Sequence, residues 1–380
     1  MQELETLLQD AVARQMVADV QIGILLSGGV DSSLLTALAV RTSSRVKTFT
    51  IRFPGHGNYD ETPHARLIAD HFRTDHVELE ASDTSVDLLP RLARQFDEPM
   101  SDSSMVPTFL ISQEIRRHCT VAIGGDGGDE LFGGYAHYDH ILRQESRLAR
   151  LPGFVRRGVA AGAAQFLPTG YRGRNYLRGY GMRLGSGQLP LALFDAVSRR
   201  KLLRGMPGWE FGAEAKRERI DGVSLDLVQR MTRSDFRQYL PEDILVKVDR
   251  ASMLNSLEVR APFLDYRLID FAFGRVPSDL KTSGDNRKIL LKLLARRLLP
   301  EGFDLKRKQG FSIPLASWLE APAYRDYFRD ILLGASDSPF DRRYVKSLLA
   351  GQAKGRSNSE RLFNLLMFEL WRTEYGAIVR

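Results

Sequence analysis

The stretch Leu25-Leu26-Ser27-Gly28-Gly29-Val30-Asp31-Ser32-Ser33 decides how the chain reads. Before it, Val20-Gln21-Ile22-Gly23-Ile24 is an apolar run of strand length; after it, Leu34 to Val40 has the character of a buried helix. Strand, glycine turn and helix follow in that order. Gly28 and Gly29 let the backbone approach a ligand with no side chain in the way, and Ser27, Ser32 and Ser33 offer hydroxyls. The helix that follows presents unpaired N–H groups to an anion. The stretch is therefore read as a pyrophosphate cradle. No Lys-Ser or Lys-Thr pair closes it, so it is not the G-x-x-x-x-G-K-[ST] loop. Asp31 stands where that lysine would be useful, and a carboxylate beside a polyphosphate makes electrostatic sense with Mg²⁺ between them.

S-G-G-x-D-S-S resembles the PP-loop of ATP pyrophosphatases, which form an adenylate and release pyrophosphate. The 380 residues suffice for two lobes and a large core, and the 43% hydrophobic fraction is that of a globular chain. With no apolar run of about 18 residues and no charged-then-apolar leader, no membrane association and a cytoplasmic location are expected. The single cysteine, Cys119, lies in the apolar run Cys119-Thr120-Val121-Ala122-Ile123 and reads as core filler rather than nucleophile. The net charge of +7 is concentrated: residues 141 to 220 carry sixteen Lys or Arg against five Asp or Glu. Such a segment could hold nucleic acid or an acidic partner. Its aromatics are scattered along the sequence, however, and it has no RNA-binding motif. A solvated helical face is the favoured reading, and no nucleic acid is expected.

Leu4, Leu7, Leu8, Val12, Met16 and Val17 fall at helical spacing over residues 2–18. Strands are predicted at 46–51, 76–79 and 120–123, with helices from 60 to about 72 and at 83–95 and 107–117. Alternation of this kind implies an α/β fold, a doubly wound parallel sheet whose ligand crevice lies at the carboxyl ends of its strands. The predicted organisation is a nucleotide-binding core over residues 1–140 and a mostly helical region over 141–380 that completes the site. A second glycine loop, Gly124-Gly125-Asp126-Gly127-Gly128-Asp129-Glu130, also follows a strand, so both loops can face one crevice. Asp31 and Asp129 are then candidates to share one Mg²⁺.

Together the two loops resemble the synthetase domain of class B asparagine synthetases. Two further stretches carry the likeness. Residues 239–253 with 257–265 resemble that family's most recognisable helical block and contain Lys247, Arg250 and Glu258. Residues 281–292, centred on Lys288, and Lys306-Arg307-Lys308-Gln309-Gly310-Phe311 resemble its later basic elements. The resemblance implies ATP held by Leu26, Ser27, Gly28, Gly29, Asp31, Ser32, Ile51, Gly125, Lys288 and Lys308. It implies catalytic roles for Asp126, Lys247, Arg250 and Lys288, and a substrate pocket near Asp126, Tyr135 and Glu258. Asp97-Glu98-Pro99 and Ser101-Asp102-Ser103-Ser104 resemble the loop beside that pocket. Glu258-Val259-Arg260 reads equally well as a structural ion pair.

The implied reaction joins L-aspartate and ammonia through an acyl-AMP. Gln2 stands where the family's glutaminase domain has its cysteine nucleophile, so glutamine hydrolysis within this chain is not expected. Nitrogen would come from free ammonia, a separate glutaminase subunit or another amine. A β-lactam synthetase or macrolactam cyclase, a PP-loop tRNA-modifying enzyme and a non-catalytic subunit are the competing readings.

Overall fold

The computed structural model describes residues 1–52, 60–80, 85–182, 193–204, 206, 225–307, 315–335 and 337–377. The chain forms two compact units, each discontinuous in sequence. One comprises Met1–Asp83, Ser104–Asp139 and Met231–Phe311; the other comprises Thr84–Ser103, His140–Arg230 and Ser312–Arg380.

In the first unit, α1 (Gln2–Gln15) buries Leu4, Leu8, Ala11 and Val12, one face at helical spacing. Next come β1 (Ile22–Leu25), α2 (Val30–Ala39), β2 (Lys47–Arg52), α3 (Thr62–Phe72), β3 (Asp75–Glu80), α4 (Met105–Arg116), β4 (Val121–Ile123) and α5 (Gly128–Phe132). A π-helix over Asp235–Leu245, containing Pro241, runs into α6 (Val246–Met253). Proline cannot donate a backbone hydrogen bond, which fits a widened turn here better than a regular α-helix. β5 (Glu258–Arg260), α7 (Tyr266–Gly274) and α8 (Ile289–Leu298) complete the unit's main elements.

The sheet is parallel throughout, in the order β3-β2-β1-β4-β5. The order reverses between β1 and β4, neighbours with Ile24 opposite Ile123. In a doubly wound sheet the ligand crevice opens at that reversal, beyond the carboxyl ends. Both glycine loops emerge there. The largest cluster of buried apolar residues draws Leu34, Leu35 and Leu38 from α2 and Leu290, Leu291 and Leu294 from α8. A smaller one contains Phe49, Ile115, Cys119, Ala122 and Leu257. One expectation is corrected: Glu258–Arg260, read with a helical block, is an edge strand paired with β4 from Val121 to Ile123.

The second unit is helical, with no strand among its described residues. Helix Leu88–Gln95 packs on Ser359–Glu374, and Arg94 pairs with Glu374 at 2.6 Å. Asp195 caps Ala196–Leu202 by accepting from the Ser198 N–H at 2.8 Å, and it also pairs with Arg174 at 2.6 Å and Arg178 at 3.0 Å. Among the described residues, no helix is long and apolar enough to cross a membrane.

Candidate active site

The first glycine turn is held by its own serines. Ser27 N–H donates to Ser32 Oγ at 3.2 Å, the two hydroxyls lie 3.1 Å apart, and Gly29 N–H donates to Ser27 Oγ at 3.3 Å. Gly28 takes φ +68°, and a Cβ there would come within 2.6 Å of His64 Cβ and 2.8 Å of Ala65 N. Glycine is required here by both conformation and space. Gly29 caps α2, so Asp31 stands in that helix's first turn.

The second turn brings Asp129 to the same place. Lys288 Nζ contacts Asp31 Oδ2 and lies 2.7 Å from Asp129 Oδ1, so both carboxylates converge on one nitrogen. Lys288 caps α8 with φ +53°, one of three non-glycine residues with positive φ among the described residues, and is 8% exposed. Burial opposes its charge, but Asp129 and Asp31 outweigh burial and hold its pKa above the ordinary lysine value. The fit leaves no room for a larger neighbour. A Cβ on Gly134 would lie 1.7 Å from Asp129 Oδ1 and 2.2 Å from Lys288 Cε, and one on Gly128 would meet Asp31 Cγ at 3.0 Å.

Ser27, Gly29, Asp31, Ser32, Asp129 and Lys288 line one cleft, together with Glu61, Arg287, Lys292 and Arg307. Arg307 donates to the Ser27 carbonyl at 3.3 Å and lies 3.5 Å from Glu61 Oε1. Burial pushes Glu61 up to about 7 against the pull of Arg307. Lys292 is lowered by burial and by the charges of Arg287 and Lys288. A cleft so rich in cations suits a polyphosphate. Among the described residues no three His, Cys, Asp or Glu groups gather to hold a metal. Asp31 and Asp129 are hard oxygen donors of the kind that suit Mg²⁺.

Earlier in the second loop, burial raises the Asp126 pKa against the charge of Lys247, itself 7% exposed on α6. Arg250 lies three residues on in the same helix. Tyr135 OH donates to Glu130, whose pKa burial lifts to about 7. The Tyr135 ring stacks on His137 at 5.2 Å, and His137 and Tyr138 both reach Asp235 at the start of the π-helix, at 2.8 and 2.7 Å. Leu26 and Ile51 are buried at the carboxyl ends of β1 and β2, and Gly125 lies against Asp31, where a Cβ would be 3.1 Å from Asp31 Cβ.

Glu258 is not brought to this group. It begins β5 opposite Val121, at the amino end of the sheet, and pairs with Arg260 at 2.7 Å. Lys308 lies outside the described residues. Asp97 and residues 101–103 belong to the second unit, where Asp97 O accepts from Trp371 Nε1 at 2.7 Å. The sequence reading did not single out Glu61, Arg287, Lys292 or Arg307, although each lies in a stretch that it quoted.

A parallel sheet with two glycine turns at its switch point, gathering carboxylates and cations, defines a PP-loop α/β domain of synthetase type. The family model described as asparagine synthase matches residues 3–373, and the chain belongs to that family. A Mycobacterium bovis protein provisionally named asparagine synthetase (glutamine-hydrolyzing) is 33% identical over 374 residues, which are 97% of this chain and 57% of that protein. Asparagine synthetase (glutamine-hydrolyzing) 1 of Bacillus subtilis is 30% identical over 376 residues, 98% of this chain and 59% of its own length. The chain thus spans somewhat under three fifths of these relatives.

Proposed function

We propose that this chain is an ATP-dependent amide-forming ligase that activates the side-chain carboxylate of L-aspartate and passes it to ammonia, giving asparagine, AMP and pyrophosphate. The observation that carries the reading is the convergence of Asp31 and Asp129 on Lys288 between the two glycine turns. The cradle at Ser27–Gly29 and the head of α2 receive the β- and γ-phosphates. Asp31 and Asp129 would hold Mg²⁺, which when bound supplies charge neutralisation on the phosphate oxygens. The aspartate carboxylate attacks the α-phosphorus, the bond to the bridging oxygen breaks, and pyrophosphate leaves. Lys288, Arg307 and Lys292 offset the charge that develops on it. Ammonia then attacks the acyl carbon, loses a proton and displaces AMP. Asp126, in the second glycine turn, and Tyr135, just after the helix that follows it, orient the amino acid.

Nitrogen enters as ammonia. The chain's one cysteine is 5% exposed, and burial raises its thiol pKa, the opposite of what a glutaminase nucleophile requires. A separate glutaminase subunit could deliver that ammonia.

ATP–pyrophosphate exchange with L-aspartate tests the reading. Asp31→Asn and Asp129→Asn are expected to abolish exchange while the far-UV circular dichroism stays that of the parent. Full exchange in either variant would refute the assignment, and exchange driven by another carboxylic acid but not aspartate would transfer the same chemistry to that acid.

A further inference from the structure

The second unit collects what its sequence scatters. A groove of the helical unit is lined by Tyr171, Arg172, Tyr176, Lys354, Arg356 and Arg361, with no carboxylate among its described lining residues. Residues 171–176 come from the basic segment, and residues 354–361 arrive from almost two hundred residues away. Ser357 N–H donates to the Gly170 carbonyl at 3.1 Å and locks the two stretches together. Arg361 is 6% exposed, its guanidinium fixed by the Leu193 and Ser357 carbonyls at 2.6 and 2.7 Å. Gly170, Gly173 and Gly355 all take positive φ, and a Cβ at Gly173 or Gly355 would meet nothing within 4 Å, so the backbone there is open to a ligand.

Tyr176 also lines a second groove, with His140, Arg147 and Tyr180, and this too has no carboxylate among its lining residues. The two grooves share that ring, so Tyr176 stands between them. Tyr171 is 53% exposed and Tyr176 42%, so each offers ring surface to solvent. None of Arg147, Arg172, Lys354 and Arg356 forms an ion pair among the described residues.

Against the sequence-based expectation of a solvated face with no nucleic acid, we infer that the two grooves form a track that binds single-stranded nucleic acid. Guanidinium groups at intervals suit successive phosphates, and exposed tyrosine faces between them suit bases, the combination used by sequence-tolerant single-strand binders. A track spanning two grooves calls for a chain-like anion rather than a single small one. An acidic polypeptide would satisfy the arginines but has no planar base to set on Tyr171 and Tyr176. The surface lies wholly in the second unit and does not depend on the ligase reading.

The test is fluorescence anisotropy of a fluorescein-labelled 20-nucleotide oligouridylate titrated with the full chain at low and moderate salt. Saturable binding that weakens as salt rises is expected. Arg172→Glu with Arg356→Glu should weaken it at least tenfold, and Tyr176→Ala about tenfold, given what stacking one base contributes. Far-UV circular dichroism and the melting temperature should stay those of the parent in both variants, which reports that they fold. Arg172→Gln serves in place of the reversal if the double variant melts. No binding at low salt overturns the inference. So does equal competition by poly-glutamate, or an affinity that Tyr176→Ala leaves unchanged, since either would make the track a general cationic surface.

Discussion

Lys288 carries two roles in one side chain. Its ammonium satisfies Asp31 and Asp129 in the free protein, and in the proposed reaction it faces the departing pyrophosphate. Removing one partner from such a cluster leaves like charges facing each other in a largely buried place. Lys288→Met is therefore expected to reduce exchange by roughly 10²–10³, the usual cost of losing one charge-stabilising contact. It should also lower the melting temperature, and MgCl₂ should restore more of that loss in the variant than it adds to the parent. Thermal unfolding with and without MgCl₂ reads this directly, and equal shifts in both proteins would deny that the carboxylates accept the ion.

Glu61 sets a pH dependence of its own. Its folded pKa of about 7 lies above the ordinary value of 4.5, so between these the folded protein binds more protons than the unfolded chain. By linkage, its contribution to stability falls as pH rises from about 4.5 to 7 and levels off above. The shift corresponds to something on the order of 3 kcal/mol. Glu61→Gln should remove that fall, leaving a shallower decline from the other carboxyls that burial raises, Glu130, Asp126 and Glu360. Denaturant melts from pH 4.5 to 8 check it. A parent and variant with parallel profiles would contradict the burial of an ionisable Glu61.

The helices deliver these residues more through packing than through propensity. α2 and α8 share one core, and Lys288 sits at the head of the second. Leu291, fully buried one turn into α8, is expected to cost about 2–5 kcal/mol when changed to Ala. Urea unfolding should show that loss, while exchange at low temperature persists because the variant leaves the cleft's lining intact. Elements with strong local signals were legible in sequence. The β1 turn and α2 announce themselves through glycines followed by an apolar run, and the second loop through four glycines and three acids. β5 was not, because Glu-Val-Arg is too short to show an alternation and is a strand only by pairing with β4. The π-helix was not either, since nothing in Asp235–Leu245 but Pro241 distinguishes it from an ordinary helix.

At the scale of the molecule, the same division holds. Ser27, Asp31 and Asp129 stand out in the sequence because glycine loops fix them locally, and Lys288 through the family resemblance; the structure gathers the four in one cleft. Arg307 and Glu61 meet only after the start of α3 and the segment beyond α8 have folded onto the first turn, and no spacing in the sequence encodes that. Glu258 shows the converse: its neighbour Arg260 allowed either a substrate contact or an ion pair, and strand register decides its position. The nitrogen source is a whole-chain property as well. Cys119→Ser should leave ammonium-dependent asparagine formation within about twofold of the parent, and glutamine should not replace ammonium in either protein, as amino-acid analysis of the products would show. Glutamine-supported synthesis by this chain alone would overturn the ammonia assignment.

β1 and β4 are immediate neighbours, and hydrogen-bonded strands lie about 4.8 Å apart. That spacing is a ruler built into the main chain. The two glycine turns leave adjacent strands, so the roots of the segments that carry Asp31 and Asp129 are set by main-chain geometry that every sequence shares.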